Sequence, residues 1–277
     1  MKSTDKYVYE VNLNEQNSAS FILDLVGKNK RVMEVGAGPG SITKLLVANS
    51  GCQVSAIEID DESINSLKKY CDSVYKIDLN SQNWIDQFSL SDKFDVVVAA
   101  DVLEHLNNPL LVLNSFKKLI KSDGSVIVSL PHVGHSVIYA CLMDNDFEYR
   151  DWGLLDKTHI RFFGIKNMQR LFDDAGMKII DVKFVLRKPE YTEYAERWAK
   201  TSSELRCFIQ KNKFCDVYQV VIKAVPIEAE GISVDLITRS VGKTPFSVIR
   251  EINQLILLYT PKFFYLTVRN VYRKFFM

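Results

Sequence analysis

Three glycines at alternate positions, Gly36, Gly38 and Gly40 in the segment VGAGPG (35–40), are the residues best able to bring the backbone against a ligand. Lacking a Cβ, they permit a sharp turn and close approach, and the N-terminus of a helix starting there would present free N–H groups. The spacing is GxGxG, which is neither the GxGxxG of a dinucleotide fingerprint nor a loop ending in GK[ST]. Pro39 also removes one donor, so a pyrophosphate cradle is disfavoured. Glu58 follows about 20 residues later, where a carboxylate can accept from both hydroxyls of an adenosine ribose and would repel a 2′-phosphate. Asp78 and Leu79 offer an acceptor for an adenine amino group and an apolar surface for its ring. A fourth cluster, Ala100-Asp101-Val102-Leu103-Glu104-His105, stands further on.

Such residues need a scaffold that brings them to one edge. RVMEV (31–35), QVSAIEI (53–59), SVYKI (73–77), FDVVVAA (94–100) and SVIVSL (125–130) read as strands. Between them, helical spacing runs over Ser41–Asn49, from near Asp61, and over Pro109–Lys121, with a turn at Ser122-Asp123-Gly124. Apolar strands without polar alternation, separated by helices, mark a parallel sheet covered on both faces. After Leu130 the rhythm breaks: Pro131 to Phe163 reads as a helix plus an irregular insert near the site, and Lys166–Ala175 as a helix stopped by Gly176. MKIIDVKFVL (177–186) and CDVYQVVIKAV (215–225) complete seven strands, with a helical stretch such as Tyr191–Lys200 between them. The predicted class is α/β, a doubly wound, mostly parallel seven-stranded Rossmann-like sheet with a C-terminal helical extension.

Composition narrows the function classes. The 277 residues are 47% hydrophobic, and 35 Lys and Arg oppose 34 Asp and Glu, so a general electrostatic pull toward nucleic acid is absent. Five cysteines (Cys52, Cys71, Cys141, Cys207, Cys215) with no CxxC spacing argue against a disulfide framework or zinc cluster and fit a reducing cytoplasm. Met1–Glu10 does not read as a signal peptide, and no run approaches the ~18 apolar residues of a membrane span. Residues 227–277 carry seven basic and four acidic residues. Thr244-Pro245 signals a helix start, followed by an apolar face of Phe246, Ile249, Ile252, Leu255, Ile256 and Tyr259. The aromatic-basic stretch 262–277 could lie on anionic lipid. The domain division is therefore placed at 1–226 and 227–277, with the tail read as either a packed helix with solvated lysines or a peripheral membrane contact.

Taken together, VMEVGAGPG, AIEID, KIDLN, FDVVVAADVLEHLNNP and DGSVIVSLP resemble the successive motifs of class I S-adenosylmethionine-dependent methyltransferases. GLLDKTHIRFF (153–163) and YQVVIKAVP (218–226) extend the resemblance to a ubiquinone-methyltransferase-like subgroup associated with polysaccharide and glycolipid biosynthesis, over residues 7 to 226. The resemblance implies S-adenosylmethionine as cofactor and methyl transfer to a small-molecule, sugar or glycan acceptor at a hydroxyl. It places Gly36, Gly38 and Gly40, with Ala37, under the methionine and ribose, and Glu34 at the methionine ammonium. Glu58, beside Ile59, takes the ribose hydroxyls, Asp78 and Leu79 the adenine, and Ala100 and Asp101 the methionine end. Two departures stand out: Ala37 and Pro39 occupy places where a second acid or Cys-Gly is common, and Glu34 replaces the commoner Asp. A non-catalytic cofactor-binding scaffold and an NAD-dependent oxidoreductase are the alternative readings.

Methyl transfer to a hydroxyl benefits from a general base, worth ~10²–10⁴-fold, and histidine suits that task near neutral pH. His132, directly after the fifth strand, ranks first and His159 second, ahead of His135 and His105. No metal is expected, because no histidine is paired at i, i+4 with a carboxylate. Glu104-His105 with His132 is the one loose combination, and Glu104-His105 read more simply as orienting the following helix.

Overall fold

The computed structural model describes residues 12–89 and 92–242. The readings made for Met1–Glu10 and for the tail from Thr244 lie outside them. The sheet has seven strands in the order β3-β2-β1-β4-β5-β7-β6. β1 (Arg31–Val35), β2 (Gln53–Glu58), β3 (Ser73–Lys76), β4 (Phe94–Ala100) and β5 (Ile120–Pro131) run parallel. β7 (Val217–Pro226) is antiparallel to β5 and to β6 (Met177–Leu186), between which it lies.

The apolar runs explain the layering. Val32, Met33, Glu34 and Val35 of β1 are all buried, as is every residue from Val96 to Ala99 in β4, so these central strands have no solvent face. One face is covered by α1 (Ser18–Val26) and α2 (Ser41–Ser50), whose Ile22, Leu25, Ile42 and Leu46 pack with Val32, Val54 and Val98. The other is covered by α4 (Pro109–Leu119) and α6 (Ile165–Asp174), through Leu113, Phe116, Met168 and Phe172. α3 (Asp61–Leu67) is short and starts where Asp60 accepts from the Ser63 N–H. Capping is local and legible: Asn17 and Ser20 bond each other's backbone at the start of α1, and Asn108 accepts from Leu111 ahead of Pro109.

Several boundaries differ from expectation, each for a physical reason. α4 ends at Leu119, and Ile120 already pairs with Phe94. The Ser122-Asp123-Gly124 turn is thus an interruption inside β5, before Ser125 pairs with Val96. α5 (Ser136–Met143) is the helix expected after the fifth strand. The anticipated helix 191–200 is split into a 3-10 turn at Pro189–Tyr191 and α7 (Ala195–Lys200), and α8 (Ser203–Ile209) follows. Among the described residues, no helix is long and apolar enough to cross a membrane.

The placement of a domain limit after residue 226 is corrected. The first compact unit extends to Gly242, because residues 227–242 dock on α6 and β6. Leu236 is fully buried in the core, the Val234 N–H donates to the Ile179 carbonyl (2.8 Å), and the Leu236 N–H donates to Gln169 Oε1 (3.0 Å).

Candidate functional site

At the carboxyl end of β1 the chain makes the turn that its glycines permit. Gly36 and Gly38 have φ of 63° and 54°, and Gly40 sits left-handed at φ 93° as the residue preceding α2. A Cβ on Gly36 would stand 2.7 Å from Val102 Cγ2, so the loop lies directly against the segment after β4. The Gly36 and Ala37 N–H groups both donate to the Ile57 carbonyl, at 2.8 and 3.3 Å, tying the loop to the end of β2.

Glu58 makes the second tie. Its buried carboxylate accepts from the Gly38 N–H through Oε2 (2.7 Å) and from the Ile59 and Asp60 N–H groups through Oε1 (2.7 and 2.9 Å). Three backbone donors therefore fix this side chain between the glycine loop and the start of α3. One acceptor position, on Oε2, is left for a further donor. Glu34 lies beneath the loop, buried, with the Thr43 hydroxyl donating to it at 2.6 Å. Burial pushes its carboxyl up to about 7, against the lowering effect of that hydrogen bond.

Asp78 follows β3, where the Ile77 N–H donates to the Glu58 carbonyl, so the two acids stand on neighbouring strand ends. The Asp78 side chain is exposed and accepts from the Asn80 N–H (2.8 Å), while Leu79 packs against the core. Asp101 is held more firmly. It adopts the left-handed region at φ 54°, uncommon for a non-glycine residue. Its carboxylate accepts from Ser129 Oγ (2.9 Å) and from Gln219 Nε2 (2.9 Å to each oxygen). Burial raises its pKa above the ordinary aspartate range. Gln219 belongs to β7, 118 residues away, and no local sequence pattern marks it as part of the site.

The structure reorders the histidines. His132 is buried, its Nδ1 is 3.1 Å from the Val217 carbonyl, and its ring packs against Phe214. A Cβ on Gly134 would approach its Nε2 to 2.6 Å. This first-ranked base is therefore a packing residue in the wall between β5 and β7. His135 caps α5, accepting from the Val137 N–H, and its Nε2 donates to the Arg187 carbonyl. Burial lowers both rings to about 4. The stability carried by these neutral rings is full above about pH 6.5 and declines as pH falls toward 4, because the unfolded chain takes up protons first. Their ring C–H resonances should hold neutral-form NMR shifts at pH 6; titration there would contradict the assignment.

His159 instead joins Glu104 and His105. Its Nε2 is 3.9 Å from Glu104 Oε1, and its ring meets His105 edge to face, with centroids 4.9 Å apart. The docking is made by backbone: the Ile160 and Arg161 N–H groups donate to the Glu104 carbonyl at 2.9 and 3.0 Å. The combination of Glu104-His105 with His132 is thereby corrected to one with His159. Glu104 is wholly buried, neither of its carboxylate oxygens has a hydrogen-bond partner among the described residues, and burial raises its pKa well above the usual range.

The acidic side chains at this edge of the sheet, Glu34, Glu58, Asp78 and Asp101, are all acceptors when ionised. That set suits a ligand bearing hydroxyls and positive charge and fits poorly with a pyrophosphate, which needs donors.

A methyltransferase domain family model matches residues 13–182. The ubiquinone biosynthesis O-methyltransferase of Actinobacillus pleuropneumoniae serotype 7 is 32% identical over 107 residues, which make up 36% of this chain and 45% of that protein. The mitochondrial ubiquinone biosynthesis O-methyltransferase of Dictyostelium discoideum is 24% identical over 193 residues, covering 65% of this chain and 60% of the relative. The chain thus spans less than two thirds of each of these relatives. Among solved structures, a SAM-dependent methyltransferase from Archaeoglobus fulgidus shares the fold at TM-score 0.51 and 18% identity, covering 74% of this chain and 89% of that one. The [4+2]-cyclase SpnF shares it equally, at TM-score 0.51 and 14% identity over 76% of this chain and 80% of that one.

Proposed function

The chain belongs to the methyltransferase domain family, and from that premise we propose that it transfers a methyl group from S-adenosylmethionine to an acceptor hydroxyl. The observation that carries this reading is the carboxylate-lined glycine turn, in which Glu58 is locked to Gly38 and Glu34 lies buried beneath. The fold alone does not decide the reaction, since the cyclase shares it.

S-adenosylmethionine supplies a methyl carbon already activated on a sulfonium. The protein's work is then to hold and orient, and positioning of reacting groups can be worth ~7–11 kcal/mol. Glu58 offers its remaining acceptor position to the ribose, with Ile59 and Ala37 beside it, and Asp78 and Leu79 receive the adenine. Glu34 meets the methionine ammonium, whose charge favours the ionised carboxylate. Asp101, clamped by Ser129 and Gln219, and Ala100 hold the methionine end. Gly36, Gly38 and Gly40 keep the backbone low enough for this approach.

An oxygen acceptor is supported by the relatives, whose names state O-methylation. A small molecule, sugar or glycan is the acceptor class, in keeping with the polysaccharide- and glycolipid-associated resemblance. A cytoplasmic setting, with the tail touching a membrane surface, belongs to the same reading. Calorimetric titration provides the test. Saturable binding of S-adenosylhomocysteine with none for NAD is expected; the reverse would replace the transferase with the oxidoreductase. Cofactor binding without methyl incorporation into any hydroxyl-bearing acceptor would leave only the scaffold reading.

A further inference from the structure

We infer that the edge of the sheet opposite the glycine loop carries a second ligand site, which takes a free α-amino acid with an aliphatic side chain.

The first observation is a cavity of about 230 Å³ at that edge. Asp95 and Val96 at the start of β4 line it, with Ser125 of β5, Ile180 of β6 and the β7 residues Lys223 and Val225. Because β7 runs against β5, its last residues reach the edge where the parallel strands begin. The volume lies below the ~300–1,000 Å³ of sites for drug-sized ligands, which restricts the occupant to a small metabolite. The cofactor crevice stands at the other end of the strands, so this site does not rest on the methyl-transfer reading.

The second observation is the layout of charge. Lys30 and Lys223 bring two cations to the cavity, and Asp123 and Glu230 two carboxylates. Lys223 is half-buried, its ammonium donates to the Leu25 carbonyl at 2.7 Å, and it makes no ion pair among the described residues. Burial lowers its pKa, and the charge of Lys30 acts in the same direction against those of Asp181 and Asp24. The Asp123 and Glu230 side chains make no hydrogen bond or ion pair among the described residues. Asp95, the third acid, is already committed: it accepts from the Arg31 N–H (2.8 Å) and from Lys121 Nζ (2.6 Å). Two cations and two carboxylates are thus left to a ligand bearing both signs. A lone carboxylate would leave the acids unmatched, and a lone amine would meet two lysines.

The third is the apolar wall between these charges. Val26, Val96 and Val225 are buried and Ile180 is partly so. Gly231 shows how tightly the wall is closed: at φ 127°, a Cβ on it would stand 2.9 Å from Ile180 Cγ2. The segment bearing Glu230 therefore lies directly on β6. An aliphatic side chain covered by this wall leaves water, while its α-carboxylate meets the lysines and its α-ammonium the acids.

The experiment is calorimetry of the full chain with L-leucine and L-valine. The controls are 4-methylpentanoate and isopentylamine, the leucine skeleton without its amine and without its carboxylate. Saturable binding of at least one amino acid, one per chain, is expected, with both single-charge analogues about tenfold weaker or more, as for a lost hydrogen bond to a charged group. Lys223→Met and Asp123→Asn should each weaken amino-acid binding by a similar factor. Asp123 is exposed, so Asp123→Asn tests the site even if Lys223→Met, which loses the Leu25 tie, fails to fold. S-adenosylhomocysteine affinity should stay near wild type in Asp123→Asn. Absence of saturable binding of both amino acids, equal binding of either analogue, or unchanged affinity in Asp123→Asn would overturn the site. Should leucine or valine bind in this way while S-adenosylhomocysteine does not, the transferase reading fails and the amino-acid site stands.

Discussion

A chain ended at Pro226 should be less stable than one ended at Gly242 by about 3–5 kcal/mol, the range of a large buried side chain removed from a core. The difference isolates residues 227–242, which form no helix or strand. They nevertheless place Leu236 in the core beside Met168 and Phe172 and bond Val234 to Ile179. Further ties are lost with them, among them the Ile227 N–H to the Gly176 carbonyl, the Leu236 N–H to Gln169, and Lys213 Nζ to the Ile237 and Arg239 carbonyls. Against a typical total of about 5–15 kcal/mol, this loss would bring the shorter chain near its unfolding limit. Leu236→Ala alone should account for most of it. Urea unfolding of the three proteins, with similar slopes and shifted midpoints, is the measurement. Equal midpoints for the two truncated chains would restore the boundary at residue 226.

Glu58→Ala should weaken S-adenosylhomocysteine binding by about 1–3 kcal/mol, because hydroxyls in the pocket lose a charged acceptor; at 1.4 kcal/mol per decade this is roughly a five- to 150-fold rise in Kd. The same substitution strands the Gly38, Ile59 and Asp60 N–H groups, which all end on this carboxylate. A lower Tm is therefore expected alongside the weaker binding. Glu58→Gln retains the shape but turns one acceptor into a donor facing backbone N–H groups, so it should recover only part of either loss. Unchanged affinity in both variants would remove Glu58 from the ribose.

Much of this was legible in the residues themselves. Val32–Val35 and Val96–Ala99 announce buried parallel strands because they lack polar alternation, and the Gly36-Gly38-Gly40 spacing announces the turn because other residues rarely adopt positive φ. What stayed hidden depends on side-chain direction or distant pairing. His132 follows β5 directly, yet proximity along the chain does not reveal that its ring turns into the wall with Phe214. His159 is distant from Glu104 in sequence and reaches it through backbone bonds that any residue type could make. The reading of 215–225 as a strand contained no sign that β7 would run against its neighbours.

That reversal has a consequence for biosynthesis. Because β7 runs opposite to β5, its first residues, and with them Gln219, arrive beside Asp101. A nascent chain paused on the ribosome before Gln219 already holds every glycine and acid of the crevice. It lacks the amide that grips Asp101, so the finished crevice must await emergence of β7.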